Sequence, residues 1–268
     1  MGVVVSSSGQ AADADLLYRI VEDNCGTMPW LGGNSQPAPM LQSGPYGVDR
    51  LGTDPVLLGV GSGGAQAFGQ RVTQMTSGAG RTFRRGSSCT VPLSRRYLTA
   101  DALPLTLNNN RPRSYLYQVP CRLTVLNAGH RGEISLCDAD NSVNSDVLAV
   151  CRAGPAWVWD QTLNAGALIP FWRQTNAVAG IFGANTTLSM LNVWRLLGIK
   201  YYELATGGRV DWILDNRVLF SVAGDVNMPV FAGGGTFEPG WTPMVAQFAG
   251  AGSNLQMGDA MYEVRYIG

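Results

Sequence analysis

The sequence predicts a mainly β protein, built as a sandwich or barrel, and three observations predict it. From about residue 114 onward, short apolar runs alternate with clusters of Gly, Pro, Asn and Asp at the spacing typical of such folds. Residues 209–222 carry a clear hairpin pattern. The chain holds 34 Gly and 14 Pro, residues that disfavour helix interiors. We predict an N-terminal helix and extended assembly arm over 1–80, and a β domain with one inserted helix over 81–268.

The first predicted element is a helix over residues 11–24, because its apolar residues fall on one stripe. These residues are Leu16, Leu17, Ile20 and Val21. Residues 26–80 are rich in Gly, Pro, Ser and Gln and carry few charges, yet they include large apolar side chains such as Trp30. This composition predicts an extended arm against its own or neighbouring subunits, and a free tail is the alternative.

Residues 81–113 contain seven arginines and a single acid, Asp101. The seven are Arg81, Arg84, Arg85, Arg95, Arg96, Arg111 and Arg113. Such a cluster neutralises the phosphates of packaged nucleic acid, pairs with carboxylates of a neighbouring subunit, or faces solvent. The first two readings make these arginines candidate contact residues, and the sequence leaves all three open.

Strand patterns fill the rest of the chain. Alternation begins at Tyr115, and further strand-like runs lie at 133–137, 147–151, 157–159, 168–172 and 262–267. In the hairpin, Asp215 and Asn216 sit between two alternating runs, as residues that tolerate positive φ. Residues 186–198 predict the inserted helix, because Leu188, Leu191 and Trp194 share a face.

Few residues suit catalysis, since the chain has one histidine, His130, and one lysine, Lys200. His130 lies in a predicted loop, where an exposed side chain is expected. The five cysteines have no C-x-x-C spacing, and Cys121, Cys137 and Cys151 are expected to be buried. We therefore predict no catalytic residue, cofactor or metal site. Trp157 and Trp159 share a strand face, either as core residues or as an exposed pair that contacts a glycan.

The hairpin ending in Asp-Asn-Arg-Val-Leu-Phe220, with the following Ser221–Met228, resembles one in jelly-roll capsid proteins of tailless icosahedral viruses. The closing run Tyr262–Gly268 is similar to the last strand of such subunits. Asn216 stands where Gly is common in that family. The resemblance covers a small part of the chain and implies a jelly-roll sandwich, assembly into a shell and no catalytic residues.

Charged residues make up 14% of the chain and the formal net charge is zero, against about 25% charged in typical domains. Such a surface favours association. We predict a self-assembling capsid subunit of a virus or phage, located in the virion and assembled in the host cytoplasm. Its expected partners are copies of itself, other virion proteins and packaged nucleic acid.

Two other functions remain as alternatives: a phage tail-tube or connector component, and a carbohydrate-binding β-sandwich that uses Trp157 and Trp159. No membrane span is expected, because no run of about 18 apolar residues occurs.

Overall fold

The structure is a computed structural model. It describes residues 16–22, 48–51, 56–58, 72–77, 81–86, 113–138, 154–173, 179–204, 207–224, 241–248, 251–258 and 260–266.

The described residues form sixteen strands and one short helix. In chain order they are β1 (Leu16–Glu22), β2 (Val48–Leu51), β3 (Val56–Leu58), β4 (Val72–Thr76), β5 (Arg81–Gly86), β6 (Arg113–Val125), β7 (Arg131–Asp138), β8 (Gly154–Asp160), α1 (Gln161–Asn164), β9 (Leu168–Arg173), β10 (Ile181–Phe182), β11 (Arg195–Leu204), β12 (Gly207–Leu214), β13 (Arg217–Ala223), β14 (Trp241–Phe248), β15 (Asn254–Met257) and β16 (Ala260–Tyr266).

These strands make two antiparallel sheets. The front sheet has the order β13-β12-β11-β6-β15-β4-β3, with β16 also paired to β6 and β1 paired to β16. The back sheet has the order β10-β9-β8-β7-β14-β5-β2. The prediction of a mainly β sandwich is therefore confirmed.

The core lies between the sheets, where alternate residues of each strand point inward. On β6 the inward residues run from Tyr115 to Leu123 in steps of two, and all are buried. Ile134 and Leu136 of β7 meet them from the back sheet. The predicted burial of Cys121 is confirmed, because its side chain is 0% exposed.

Two tryptophans tie the sheets together across this core. The indole Nε1 of Trp157, in the back sheet, donates to the carbonyl oxygens of Gly198 at 2.9 Å and Ile213 at 3.2 Å. In return, Nε1 of Trp212 in the front sheet donates to the carbonyl oxygen of Ala156 at 2.7 Å. Each large apolar ring is thus buried with its one polar atom hydrogen-bonded to the opposite sheet.

The predicted hairpin is confirmed in its two strands and its turn, but its register shifts between Trp212 and Ile213, which leaves Val218 54% exposed instead of beside Phe220. β12 and β13 are joined by Asp215 and Asn216, whose φ angles of 49° and 65° match the two-residue turn with positive φ at both positions. The Asp215 carboxylate accepts from the backbone N–H of Leu196 at 2.9 Å and from Arg195 Nη1 at 2.7 Å. The turn is therefore also anchored to the start of β11.

Both predicted helices are wrong. Residues 16–22 of the predicted N-terminal helix form β1, because pairing with β16 satisfies their backbone groups; residues 11–15 lie outside the described part. In the predicted inserted helix, Thr187 and Asn192 have φ of 60° and 58°, which a right-handed helix excludes. This segment instead pairs with β6, where Leu123 N donates to Met190 O and Asn192 N donates to Leu123 O.

Strands of the predicted arm enter both sheets, since β2 pairs with β5 and β3 and β4 lie beside β15. Its contact with neighbouring subunits stays a prediction, as does the division at residue 80. No helix in the described ranges is long and apolar enough to cross a membrane.

Candidate functional site

The outward face of the front sheet carries polar and aromatic side chains, and we call it the front face. On β11, the inward residues Leu197, Ile199 and Tyr201 are buried in the core. Strand alternation therefore places Lys200 and Tyr202 outward, and both are half-buried. The same alternation places residues of β6 and β12 beside them.

One group of the front face, the Tyr202 cluster, gathers around the aromatic ring of that residue. It consists of Lys200, Tyr202, Arg209, Asp211 and Ser221. The Lys200 Nζ lies 4.9 Å from the ring centroid of Tyr202, and the Arg209 guanidinium carbon lies 5.4 Å from it. Both distances allow cation–π attraction. The register explains the grouping, because Lys200 pairs with Asp211 and Tyr202 with Arg209 on neighbouring strands.

Asp211 holds this cluster in place. Its carboxylate is 4% exposed and accepts from Arg209 Nε at 2.9 Å, from Arg209 Nη2 at 3.1 Å and from Ser221 Oγ at 2.5 Å. The two-pronged contact fixes the guanidinium plane, while the Arg209 side chain stays 46% exposed. The hydrogen bond and charge of Asp211 raise the pKa of Arg209, which therefore remains a cation.

Lys200 is placed differently from Arg209. Its contact is with the Tyr202 ring, and no carboxylate of the described residues lies within ion-pair distance of it. The Tyr202 cluster thus presents two cations and a phenol, with one carboxylate already engaged by Arg209.

A second group, the Trp194 cluster, lies on the front face near the start of β11. It consists of Gln74, Arg122, Trp194 and Gln256. The Arg122 guanidinium carbon lies 5.0 Å from the Trp194 ring centroid, and its Nε donates to Gln256 Oε1 at 2.7 Å. Gln256 Nε2 in turn donates to Gln74 Oε1 at 3.0 Å. This chain of hydrogen bonds orients Arg122 over the indole.

Of the two alternatives for Trp157 and Trp159, core residues or an exposed pair, the structure shows core residues. Both indoles are 0% exposed, because they lie on the inward face of β8. Trp157 is hydrogen-bonded to the front sheet, and Nε1 of Trp159 donates to His130 Nε2 at 3.1 Å. Neither ring is available to a glycan.

The expectation that His130 is exposed is also wrong. The chain crosses from β6 in one sheet to β7 in the other at this point, and the imidazole is 0% exposed as an acceptor for Trp159. Cys121 lies elsewhere in the core, with its Sγ 3.6 Å from Met190 Sδ.

The backbone separates the candidate arginines. Arg81, Arg84 and Arg85 lie on β5 in the back sheet, whereas Arg113 begins β6 in the front sheet. Arg95, Arg96 and Arg111 lie outside the described residues. The structure thus places three of the seven on one strand, and contact with nucleic acid or a neighbouring subunit stays a prediction.

Sequence reasoning missed the front face. The available signal was Lys200-Tyr201-Tyr202 followed by Arg209-Val210-Asp211, where the chain's sole lysine alternates with core residues. The hairpin prediction already put Val210 and Trp212 inward, which leaves Arg209 and Asp211 outward.

Comparison with known proteins supports the fold. No protein-family model matches the chain, and no curated protein does. Among solved structures, alginate lyase vAL-1 from Chlorella virus superposes with a TM-score of 0.50 at 8% identity, over 83% of this chain and 93% of that one. A legume lectin-like domain from Entamoeba histolytica gives 0.46 at 12% identity, over 91% of this chain and 100% of that one. At 8% identity the similarity to the alginate lyase concerns the fold alone.

Proposed function

We propose that this protein is a carbohydrate-binding β-sandwich, and that the front face is where the carbohydrate binds. The observation that carries the proposal is the Tyr202 cluster, in which a half-buried aromatic ring stands beside polar groups held in fixed positions.

The chemistry of a sugar calls for this combination. A sugar ring offers hydroxyl groups and apolar C–H edges, so its recognition needs a few well-placed donors and acceptors beside an apolar or aromatic surface. Arg209 directs Nε and Nη2 at Asp211, which leaves its Nη1 donors for a ligand hydroxyl. Lys200 and the Tyr202 hydroxyl add further donors at the same place.

Asp211 and Ser221 have a supporting part in this proposal. Because Asp211 fixes Arg209 before any ligand arrives, less side-chain entropy is lost on binding. The fold is shared with a protein named for action on a carbohydrate, the alginate lyase, but the proposal rests on the side chains of the front face.

Titration of the purified protein with neutral oligosaccharides, followed by calorimetry and NMR, tests the proposal. We expect Tyr202→Ala to weaken binding by about tenfold or more, equivalent to about 1.4 kcal/mol. Phe182→Ala is the matched control, since Phe182 is an exposed aromatic residue on β10 in the back sheet. Equal affinities for the native protein and Tyr202→Ala, in a folded variant, would remove the front face from the proposal.

A second candidate function is a structural virion subunit, in a capsid or in a tail tube. One observation favours it: Val218 and Leu219 on β13 are 54% and 43% exposed, on a strand paired on one side only within the described residues. Exposed apolar side chains on such an edge favour pairing with another chain. Negative-stain images of the concentrated protein test this candidate, and shells, rings or tubes are the expected result.

A further inference from the structure

The two clusters of the front face lie at opposite ends of β11. Trp194 and Tyr202 are eight positions apart, and at about 3.3 Å per residue in an extended chain this separates them by about 26 Å. Both belong to the same face, because Arg122, which lies over the Trp194 ring, alternates with the core residues Cys121 and Leu123. A ligand that contacts both clusters is therefore long and runs along the strand.

The charges of the front face favour an anionic ligand. Its described cations are Arg122, Lys200, Arg209 and Arg265, and its described carboxylates are Asp211 and Glu263. Both carboxylates already have an arginine partner, Arg209 for Asp211 and Arg265 for Glu263. Lys200 has no carboxylate of the described residues within ion-pair distance, so the Tyr202 cluster carries a positive charge beyond its own ion pair. The guanidinium of Arg122 lies against the Trp194 ring at the other end of the face.

The middle of the front face also suits a ligand that runs along the strand. Gly198 lies on β11 between the two clusters, and the Gln118 side chain crosses it, with Cγ 3.1 Å from where a glycine Cβ would stand. An amide therefore lies on the line that joins Trp194 to Tyr202, and it supplies a donor and an acceptor to a ligand hydroxyl.

From this arrangement we infer that the ligand is an anionic polysaccharide, a chain of sugars bearing carboxylate or sulfate groups, bound lengthwise along β11. The Tyr202 cluster and the Trp194 cluster form its two end subsites. This inference rests on the proposed function and adds to it the charge, the length and the direction of the ligand.

The test compares two series of probes from two to eight sugars long: oligomers of galacturonic acid, which are anionic, and cello-oligosaccharides, which are neutral. We expect the anionic series to bind about tenfold tighter at low salt, with affinity rising as the oligomer lengthens and falling with added salt. Lys200→Ala should abolish the anionic preference. Arg217→Ala, which removes a cation at the exposed hairpin end, should leave that preference unchanged.

Variants at the two ends test the direction. Trp194→Ala should weaken the longest oligomers and leave disaccharides unaffected, whereas Tyr202→Ala should weaken both. Trp194→Phe should restore the length dependence, which separates ring contact from loss of folding. Arg122→Gln provides a second route to the same end subsite.

The negative results distinguish failure of this inference from failure of the proposed function. Neutral probes that bind as tightly as anionic ones would overturn this inference and leave the proposed function intact. Failure of every saccharide to bind the folded protein would overturn both. Tighter binding of a single-stranded oligonucleotide than of any saccharide would also overturn both, since aromatic rings beside cations bind nucleic acid strands as well.

Discussion

Two indole N–H groups cross the core in opposite directions, from Trp157 to the front sheet and from Trp212 to the back sheet. Loss of either donor leaves a buried carbonyl oxygen without that partner, which costs about 1–3 kcal/mol. We expect Trp157→Phe and Trp212→Phe each to lower the free energy of unfolding by about this amount, beyond the effect of the smaller ring, as measured by urea denaturation.

Trp172→Phe separates the hydrogen bond from ring size. Trp172 is 5% exposed and packs against Trp212 with the ring centroids 5.5 Å apart, yet its Nε1 makes no hydrogen bond in the described part of the structure. Its substitution should cost less than that of Trp157. Equal losses at the two positions would mean that ring volume, and not the cross-sheet hydrogen bond, stabilises the sandwich.

The Cys121 thiol gives the protein an alkaline limit. Complete burial, with a smaller contribution from the charge of Asp215, raises the pKa of the Cys121 thiol. In the unfolded chain this thiol ionises above about pH 8.5, while in the folded chain it stays protonated. Unfolding then releases a proton, so the free energy of unfolding falls as pH rises, by about 1.4 kcal/mol per pH unit.

Urea denaturation of the native protein and Cys121→Ala between pH 7 and 10 checks this prediction. The native protein should lose stability more steeply with pH than the variant does. Parallel pH profiles would show that the thiol ionises equally in both states. Alkylation followed by peptide mapping should modify Cys121 only after unfolding.

The fate of Trp157 and Trp159 shows what one residue's sequence context can predict. Alternation on a strand puts the two rings on the same face, which is correct, but it does not say whether that face meets the other sheet or solvent. That choice depends on the partner strands, β7 and β9, which lie on either side of β8. For the same reason the sequence alone did not identify Tyr202 as a residue of the front face. Its outward position follows only once Tyr201 is known to be in the core.

Among the elements, the β12–β13 hairpin tests how far a turn specifies register. Asn216 has φ of 65°, a conformation that costs a β-branched residue about 1–2 kcal/mol and costs glycine little. We expect Asn216→Gly to preserve or raise the melting temperature and Asn216→Val to lower it. Asp215 and its contacts with β11 remain in both variants, so the difference reports the backbone of the turn.

An asparagine outside the turn provides the control for Asn216→Val. Asn164→Val replaces another asparagine in α1, where the backbone is right-handed. The Asn164 side chain donates a hydrogen bond to Ala167 O at 2.6 Å. Any loss of stability in Asn164→Val therefore reflects that side-chain contact and not the backbone conformation. If Asn216→Val proves as stable as Asn216→Gly, the turn does not adopt positive φ in solution.

The two wrong helices fail for a reason that the hairpin avoids. A short apolar run such as Leu16–Val21 fits a helical stripe and a strand equally well, and its pairing partner β16 lies at the other end of the chain. Local pattern carries no information about so distant a partner. The hairpin carries its own partner next to it, so its pattern and its tertiary contact agree.

For the whole molecule, composition and turn spacing were enough to predict a mainly β sandwich, because alternation and turns are local properties. The strand order could not be predicted from local patterns, because β6 pairs with β11, β15 and β16, all far along the chain. The front face depends on that order. Lys200 and Arg122 come to one surface only through the pairing of β11 with β6.

The surface of the whole molecule predicts self-association through β13. Exposed Val218 and Leu219 lie on a strand with one described neighbour, and antiparallel pairing with β13 of a second copy would cover both residues. We expect light scattering at high concentration to give a mass well above the 28.6 kDa of one chain.

Leu219→Lys should reduce that mass, because a charge on an edge strand opposes pairing. Leu163→Lys, at a 68% exposed position on α1, should leave it unchanged. A 28.6 kDa particle for the native protein, or equal masses for the two variants, would exclude β13 as the contact. The exposed side chains of β13 would then no longer favour a virion subunit.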